Sequence, residues 1–417
     1  MVRAPYFHSN VNYSKAGYFF LLIFSFLAFS GISPALERIS FFILLCITLA
    51  NFNRFSFKKI NPILLLSFTW FIYIWLNTFF HLAVNDFLVF SDRATLLNRG
   101  KDWSLIAFFP IVSLFLNSDQ RRSTFILFAG IGLLASIILS FKNLNIVDFF
   151  HIQARYGSTH SINHFALFIG TALIGAVVFG SQLLEKNKYG FFLSILVASF
   201  STFLLVKTQS RMSWLAISFV MIFIFLMFYF FKKKGSKKPS IINFAFILLP
   251  CFFVILFSQS ILEYRLSAKE PVIRHGIVSA DHSINGRVEL FKFGYEKWLE
   301  KPFFGHGPID SKILISQSGS NYISELWHLH NTYLEVIVCW GIVGLVLCAI
   351  TIFLLLKSVF LSLLRNEASP IHCLFFLSSI LYWLLWLVAE FNIYRDTGQY
   401  YWLMLAGLGY SIYQKNN

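Results

Sequence analysis

The sequence predicts an all-α, polytopic integral membrane protein, and three observations carry that expectation. Only 13% of the 417 residues are charged while 57% are apolar, about half the charge of an ordinary soluble domain. Apolar runs repeatedly reach about 20 residues, the length an α-helix needs to cross the hydrocarbon core. Those runs do not alternate in polarity, as the roughly ten-residue strands of a membrane barrel would.

Run length and intervening polar residues divide the chain into about twelve candidate transmembrane helices, at 17–34, 37–52, 61–84, 103–118, 123–141, 163–184, 190–206, 212–231, 241–262, 332–356, 370–390 and 397–413. The N-terminus places basic residues before an apolar run and offers no clear small-residue cleavage site, so an uncleaved first helix is expected rather than a signal peptide. We read the whole chain, 1–417, as a single membrane domain. Residues 263–331 form its one sizeable extramembrane unit, an outer loop between the ninth and tenth spans. Within that loop Val288, Phe291, Tyr295, Trp298 and Leu299 recur at helical spacing among Glu289, Lys292, Glu296, Lys297 and Glu300. The pattern predicts an amphipathic helix lying on the bilayer surface or on the helix bundle, ended by Pro302 and followed by a turn at Gly305-His306-Gly307-Pro308.

The net charge of +15 belongs to the topology. The run Lys232-Lys233-Lys234-Gly235-Ser236-Lys237-Lys238 marks a cytoplasmic segment, and counting spans from it places Arg54, Lys58, Lys59, Arg121, Arg122, Lys186, Lys188, Lys357 and Arg365 inside as well. No aromatic-interleaved basic patch points to nucleic acid. The same count puts Arg211, the 263–331 loop and His330 together on the outer side. The five cysteines, Cys46, Cys251, Cys339, Cys348 and Cys373, lie in or beside apolar runs without metal-ligand spacing, and buried thiols are expected.

Against this apolar background the polar residues near the membrane boundary stand out. Trp327-His328-Leu329-His330-Asn331 directly precedes the tenth span. His330 suits a proton acceptor, because a neutral imidazole titrates near physiological pH, and Asn331 suits holding its ring or a substrate. The plainer reading makes both histidines interfacial residues or caps of the tenth helix. If the run were helical, His328 and His330 would point to different sides. Arg211, in the short joint Lys207-Thr208-Gln209-Ser210-Arg211, reads either as a snorkelling interfacial cation or as an anion clamp whose forked guanidinium suits phosphate. Arg287, in Asn285-Gly286-Arg287 at the opening of the amphipathic helix, reads as a solvated charge or as an anion ligand at a helix N-terminus. Arg93 and Arg155 are two further outer cations able to touch substrate, whereas Arg99, His160, Asn163 and His164 read as wet loop residues. No Asp-x-Asp, Gly-rich phosphate loop or Gly-x-Ser-x-Gly occurs, so a metal-held sugar nucleotide, ATP hydrolysis and a serine hydrolase are not indicated.

Three of these blocks resemble a known family. Thr208-Gln209-Ser210-Arg211, then Asn285-Gly286-Arg287 with the following helix and Lys301-Pro302-Phe303-Phe304-Gly305-His306-Gly307, then His328-Leu329-His330-Asn331, are similar in kind and spacing to the signatures of the O-antigen ligase/polymerase superfamily. The likeness is specific from about 200 to 345 and elsewhere extends only to hydropathy. Within the superfamily the chain looks most like the O-antigen ligases of lipopolysaccharide synthesis, on its His-Leu-His-Asn run and its short C-terminal end.

The resemblance implies a multi-pass protein of the bacterial inner membrane with its active site on the periplasmic face. It implies transfer of O-antigen from undecaprenyl diphosphate to a sugar hydroxyl of lipid A–core, without metal or other cofactor. His330, Arg211 and Arg287 would be catalytic, and His328, Asn331, Arg155 and Arg93 would bind substrate. The partners would then be the undecaprenyl-diphosphate-linked O-antigen, lipid A–core and membrane lipid, with no nucleic acid. An O-antigen polymerase and a protein O-glycosyltransferase of the same superfamily are the near alternatives. A transporter is the distant one, disfavoured because the halves are unrelated in sequence and no paired Gly/Pro breaks occur.

Overall fold

In a computed structural model of the chain, residues 11–50, 61–84, 90–141, 156–157, 160–183, 187–230, 246–247, 250, 252, 256, 282–308, 311–316, 318–319, 323–324, 328–390 and 396–414 are described. Their regular structure is helical: α1 Val11–Ser30, α2 Pro34–Ala50, α3 Pro62–Val84, α4 Phe90–Leu105, α5 Phe109–Leu114, α6 Asp119–Phe141, α7 Ile162–Leu183, α8 Lys188–Thr208, α9 Arg211–Phe230, α10 His282–Glu300, α11 Ser311–Ser316, α12 Thr332–Leu364, α13 Pro370–Trp386 and α14 Asp396–Gln414. Six of these (α3, α6, α7, α8, α9 and α12) are long and apolar enough to cross a membrane, and shorter apolar helices occur at Ser14–Ser30 and Pro370–Trp386. The chain is thus a polytopic helical membrane protein. The expected ninth span, 241–262, lies almost wholly outside the described residues.

Helix entries follow the local chemistry. Asn61 accepts from the Ile63 amide at 2.9 Å ahead of Pro62, and Asn187 accepts from Gly190 at 3.1 Å; each satisfies an amide that an uncapped helix would leave orphaned. The fourth span differs from expectation. Helical structure begins at Phe90, well before 103, and runs through a 3₁₀ turn at Ile106–Phe108 into α5, where Pro110 interrupts the regular ladder. Its first half carries Arg93, Arg99, Lys101 and Asp102, so it does not register as an apolar run. Of the cysteines, Cys339 and Cys373 are buried as expected, whereas Cys46 is exposed.

Helix α1 packs on α2 and α6, α7 on α8, α13 on α7 and α9, and α14 on α5, α12 and α13; α3 and α10 both pack on α12. At 33 residues α12 is about 50 Å long, well beyond the ~30 Å hydrocarbon core. It breaks at Gly341, whose φ of 61° and ψ of −167° leave the helical region. The turn Pro302–Gly307 wedges into the break. The amides of His306 and Gly307 donate to the Val338 and Cys339 carbonyls at 2.9 Å, the Tyr73 hydroxyl donates to Trp340 O at 2.5 Å, and the Ile342 amide donates to Pro302 O at 2.9 Å. These bonds re-satisfy the Val338, Cys339 and Trp340 carbonyls and the Ile342 amide at the kink, as irregular backbone inside a membrane protein requires. A Cβ on Gly341 would sit 2.2 Å from the Phe303 carbonyl oxygen, so no other residue fits without moving the turn.

Helix α10 exists as expected, and only part of its apolar surface packs on the bundle. Leu290, Phe293 and Trp298 join Leu329, Leu334 and Val338 in a small separate core, and Gly294 lies flush on Leu334. The predicted apolar stripe is largely turned away: Val288, Phe291, Tyr295 and Leu299 are exposed.

Candidate functional site

The joint between α8 and α9 is a closed corner. Gln209 takes the left-handed conformation (φ 52°), the Thr208 hydroxyl donates to Leu205 O at 2.7 Å, the Ser210 amide donates to the Thr208 hydroxyl at 3.2 Å, and Ser210 Oγ pairs with Ser213 Oγ at 2.8 Å. Lys207 through Ser210 are buried. Arg211, the first residue of α9, is exposed. Four residues thus build a fixed base and the fifth presents its guanidinium outward. A cation at a helix N-terminus is opposed by the helix dipole, a cost that an anion bound there offsets.

The entry to α12 is a second fixed corner. His330 also adopts a left-handed backbone, with φ 50°, an uncommon conformation outside glycine. Because of that turn the two histidines do not diverge as a helix would have them. Their ring centroids lie 4.0 Å apart, and the His330 amide donates to His328 Nδ1 at 3.2 Å. His328 therefore keeps Nδ1 unprotonated and holds the His330 backbone. Asn331 spends its side-chain oxygen capping α12, accepting from Leu334 at 3.0 Å, which leaves its NH₂ group as its offer to a ring or a substrate. Glu335, buried in the first turn, accepts from the Leu329 amide at 3.2 Å and locks the loop from below.

The third piece is Arg287. Helix α10 starts at His282, so Arg287 stands more than a turn inside it and not at the N-terminus expected from Asn285-Gly286-Arg287. Its guanidinium faces Glu390, Nη2 to Oε1 at 3.8 Å, with the arginine side chain 45% exposed. The same Glu390 oxygen accepts from Asn163 Nδ2 at 2.6 Å, and the Glu390 carbonyl accepts from the Thr332 hydroxyl at 2.7 Å. Thr332 also donates its amide to Leu387 O at 3.0 Å. Glu390 is thus the residue on which the α7 entry, the α12 entry and Arg287 meet.

The α8–α9 corner belongs to the same end of the bundle. Lys207 O accepts from the Tyr156 amide at 3.0 Å, and Ser213 is a hydrogen-bond partner of Tyr382, which donates to Ala166 O one turn beyond Asn163. The α9 entry, the α12 entry, α10 and the start of α7 therefore share one end, which we call the site end. Arg93 is exposed near the start of α4, and Arg155 lies outside the described residues.

The wet-loop reading of three residues is corrected. His164 is buried, and Asn163 is bonded to Glu390. His160 bonds to Phe29 O at 3.0 Å, and burial lowers its pKa from the usual histidine value. Sequence reasoning missed Glu390 and Glu335. Glu335 stands five residues after His330, in the α12 first turn where an acid favours the helix; that position was the available signal. Glu390 offered only its rarity, an acid at the end of an apolar run. Among the described residues no three His, Cys, Asp or Glu side chains gather as a metal-ligand group.

Residues 195–349 match the family model described as O-antigen ligase. That segment belongs to the O-antigen ligase superfamily. It contains Arg211, Arg287 and His330, and it coincides with the stretch where the signature blocks were read. The match indicates glycosyltransferase activity of the O-antigen ligase/polymerase type. No curated protein matches the chain.

Proposed function

We propose that this protein is an O-antigen ligase of the bacterial inner membrane. On the periplasmic face it transfers O-antigen from undecaprenyl diphosphate to a sugar hydroxyl of lipid A–core. The observation that carries the reading is the sharing of one bundle end by three family blocks 40 to 120 residues apart in sequence, two of them entered through a left-handed residue and the third tied to the α12 entry through Glu390.

A sugar hydroxyl is a poor nucleophile. His330 accepts its proton as the oxygen attacks the anomeric carbon, and the carbon–oxygen bond to the lipid diphosphate breaks on the opposite side, inverting that carbon. The departing diphosphate gains negative charge. Arg211 and Arg287 meet it with forked, always-charged donors, a stabilisation whose loss typically costs about 3–4 kcal/mol per donor. The 3.8 Å pair with Glu390 is long and half exposed, so it holds Arg287 in place without neutralising it strongly. His328 and Glu335 hold the His330 loop in its turned shape.

The test is deletion of the gene followed by electrophoresis of lipopolysaccharide and of lipid-linked glycan. Complete core without long chains, with lipid-linked polymer accumulating, is the expected result. Core bearing a single repeat unit would instead assign the O-antigen polymerase reaction.

A further inference from the structure

A hollow of about 540 Å³ runs along the membrane region between the α1/α6 pair and the α7/α8 pair, closed at the back by α13 and α14. It is within the size range of pockets that hold one ligand. Phe29, Ile137, Phe168, Ala172, Val197 and Tyr401 are among its lining residues. Among its polar lining groups, Thr171 Oγ1 pairs with Tyr401 OH at 2.8 Å, and the hydroxyls of Ser194 and Thr171 bond to carbonyls of their own helices. Its rims on α6 and α8, Leu134 and Val197, are exposed, so it opens sideways toward lipid.

One end of the hollow lies toward the site end of the bundle. There the His160 ring stands over Phe168 at 4.9 Å and bonds to Phe29 O. The stretch from Tyr156 to Asn163 is tied to both arginine-bearing pieces. Tyr156 bonds to Lys207 O, four residues before Arg211, and Asn163 shares the Glu390 oxygen that faces Arg287. A chain lying in the hollow with its head at this end has its head at the end of the bundle that carries both guanidinium groups.

We infer that this hollow binds the polyprenyl tail of the lipid-diphosphate donor. The inference rests on the donor class proposed above. A single linear chain matches one narrow apolar trough, whereas a glycolipid with several acyl chains does not. The diphosphate at the head of the chain supplies the charge that the arginines complement.

The experiment uses the full-length protein in nanodiscs and a polyprenyl diphosphate carrying a photoreactive diazirine near the far end of its chain. Crosslinks mapped by mass spectrometry are expected within 125–137, 168–179 and 193–201. Unlabelled polyprenyl diphosphate should compete them away and phosphatidylglycerol should not. Ala172→Phe, which fills the trough, should abolish the labelling. Val197→Trp, on the lipid-facing rim where packing is not disturbed, should reduce it while the protein keeps its gel-filtration profile. Labelling on α3 and α12 instead, equal competition by phosphatidylglycerol, or full labelling of both variants would overturn the inference. The readout is independent of turnover. Correct labelling without glycan transfer would sink the proposed reaction and keep the tail site, and transfer with labelling elsewhere would do the reverse.

Discussion

The two ends of the bundle both carry arginines, and they treat them in opposite ways. At the end away from the site Arg122 is fully buried: Nη1 meets Asp119 at 2.7 Å, Nε donates to Ser411 Oγ at 3.0 Å and Nη2 to Ser411 O at 2.7 Å. His372 completes the cluster, 3.0 Å from Ser123 Oγ and 3.8 Å from Asp119. At the site end Arg211 is exposed, and Arg287 is half exposed with one long ion pair. A guanidinium whose donors are spent on protein acceptors joins helices together. One left exposed keeps donors available, as the proposed anion-binding role requires.

That contrast is open to test from both sides. The largest effect is expected at the base: His330→Ala should lower transfer by about 10²–10⁴-fold while protein levels stay normal, and retained activity would remove the base from the mechanism. Next, Arg211→Lys should cost about 10²–10³-fold, because a point charge does not replace the fork; a fully active lysine variant would make Arg211 a structural cation like Arg122. The converse variant, Arg122→Leu, leaves the buried Ser411 acceptors without their donors and should destabilise the protein by about 1–3 kcal/mol in a detergent melting experiment. Transfer per folded molecule should be kept, and a catalytic defect without loss of stability would break the comparison. Smallest is Glu390→Gln, which removes a long ion pair whose arginine is 45% exposed and should raise the KM for donor by about two- to fivefold; an unchanged KM would show that Glu390 does not position Arg287.

Most of the helices were legible because a membrane span is declared by length and hydropathy alone. What escaped were departures from that rule. The polar first half of α4 reads as loop, since its helix is set by packing on α3 rather than by apolar composition. The break at Gly341 falls inside an unbroken apolar run, and only the turn docked into it shows that the glycine is required. The site was legible as three blocks because their polar residues have no other reason to lie at a membrane boundary. Its connections were not. Glu390 is about 60 residues from the nearest block and about 100 from Arg287, and His328 was assigned a direction from helical spacing that the left-handed turn at His330 reverses. Asn163 and His164 looked solvated because they stand at the very start of a span, whereas tertiary packing buries His164 and bonds Asn163 to Glu390.

The central claim is that Arg211 and Arg287 together bind a lipid diphosphate. It is tested most directly by titrating purified protein with a short-chain polyprenyl diphosphate in the presence of a chelator, comparing the native chain with the double variant Arg211→Gln/Arg287→Gln. Loss of two charge-assisted donors should weaken binding by about 100-fold or more with the melting temperature unchanged. Equal affinity in the two proteins, or loss of binding by the native chain on chelation, would contradict it.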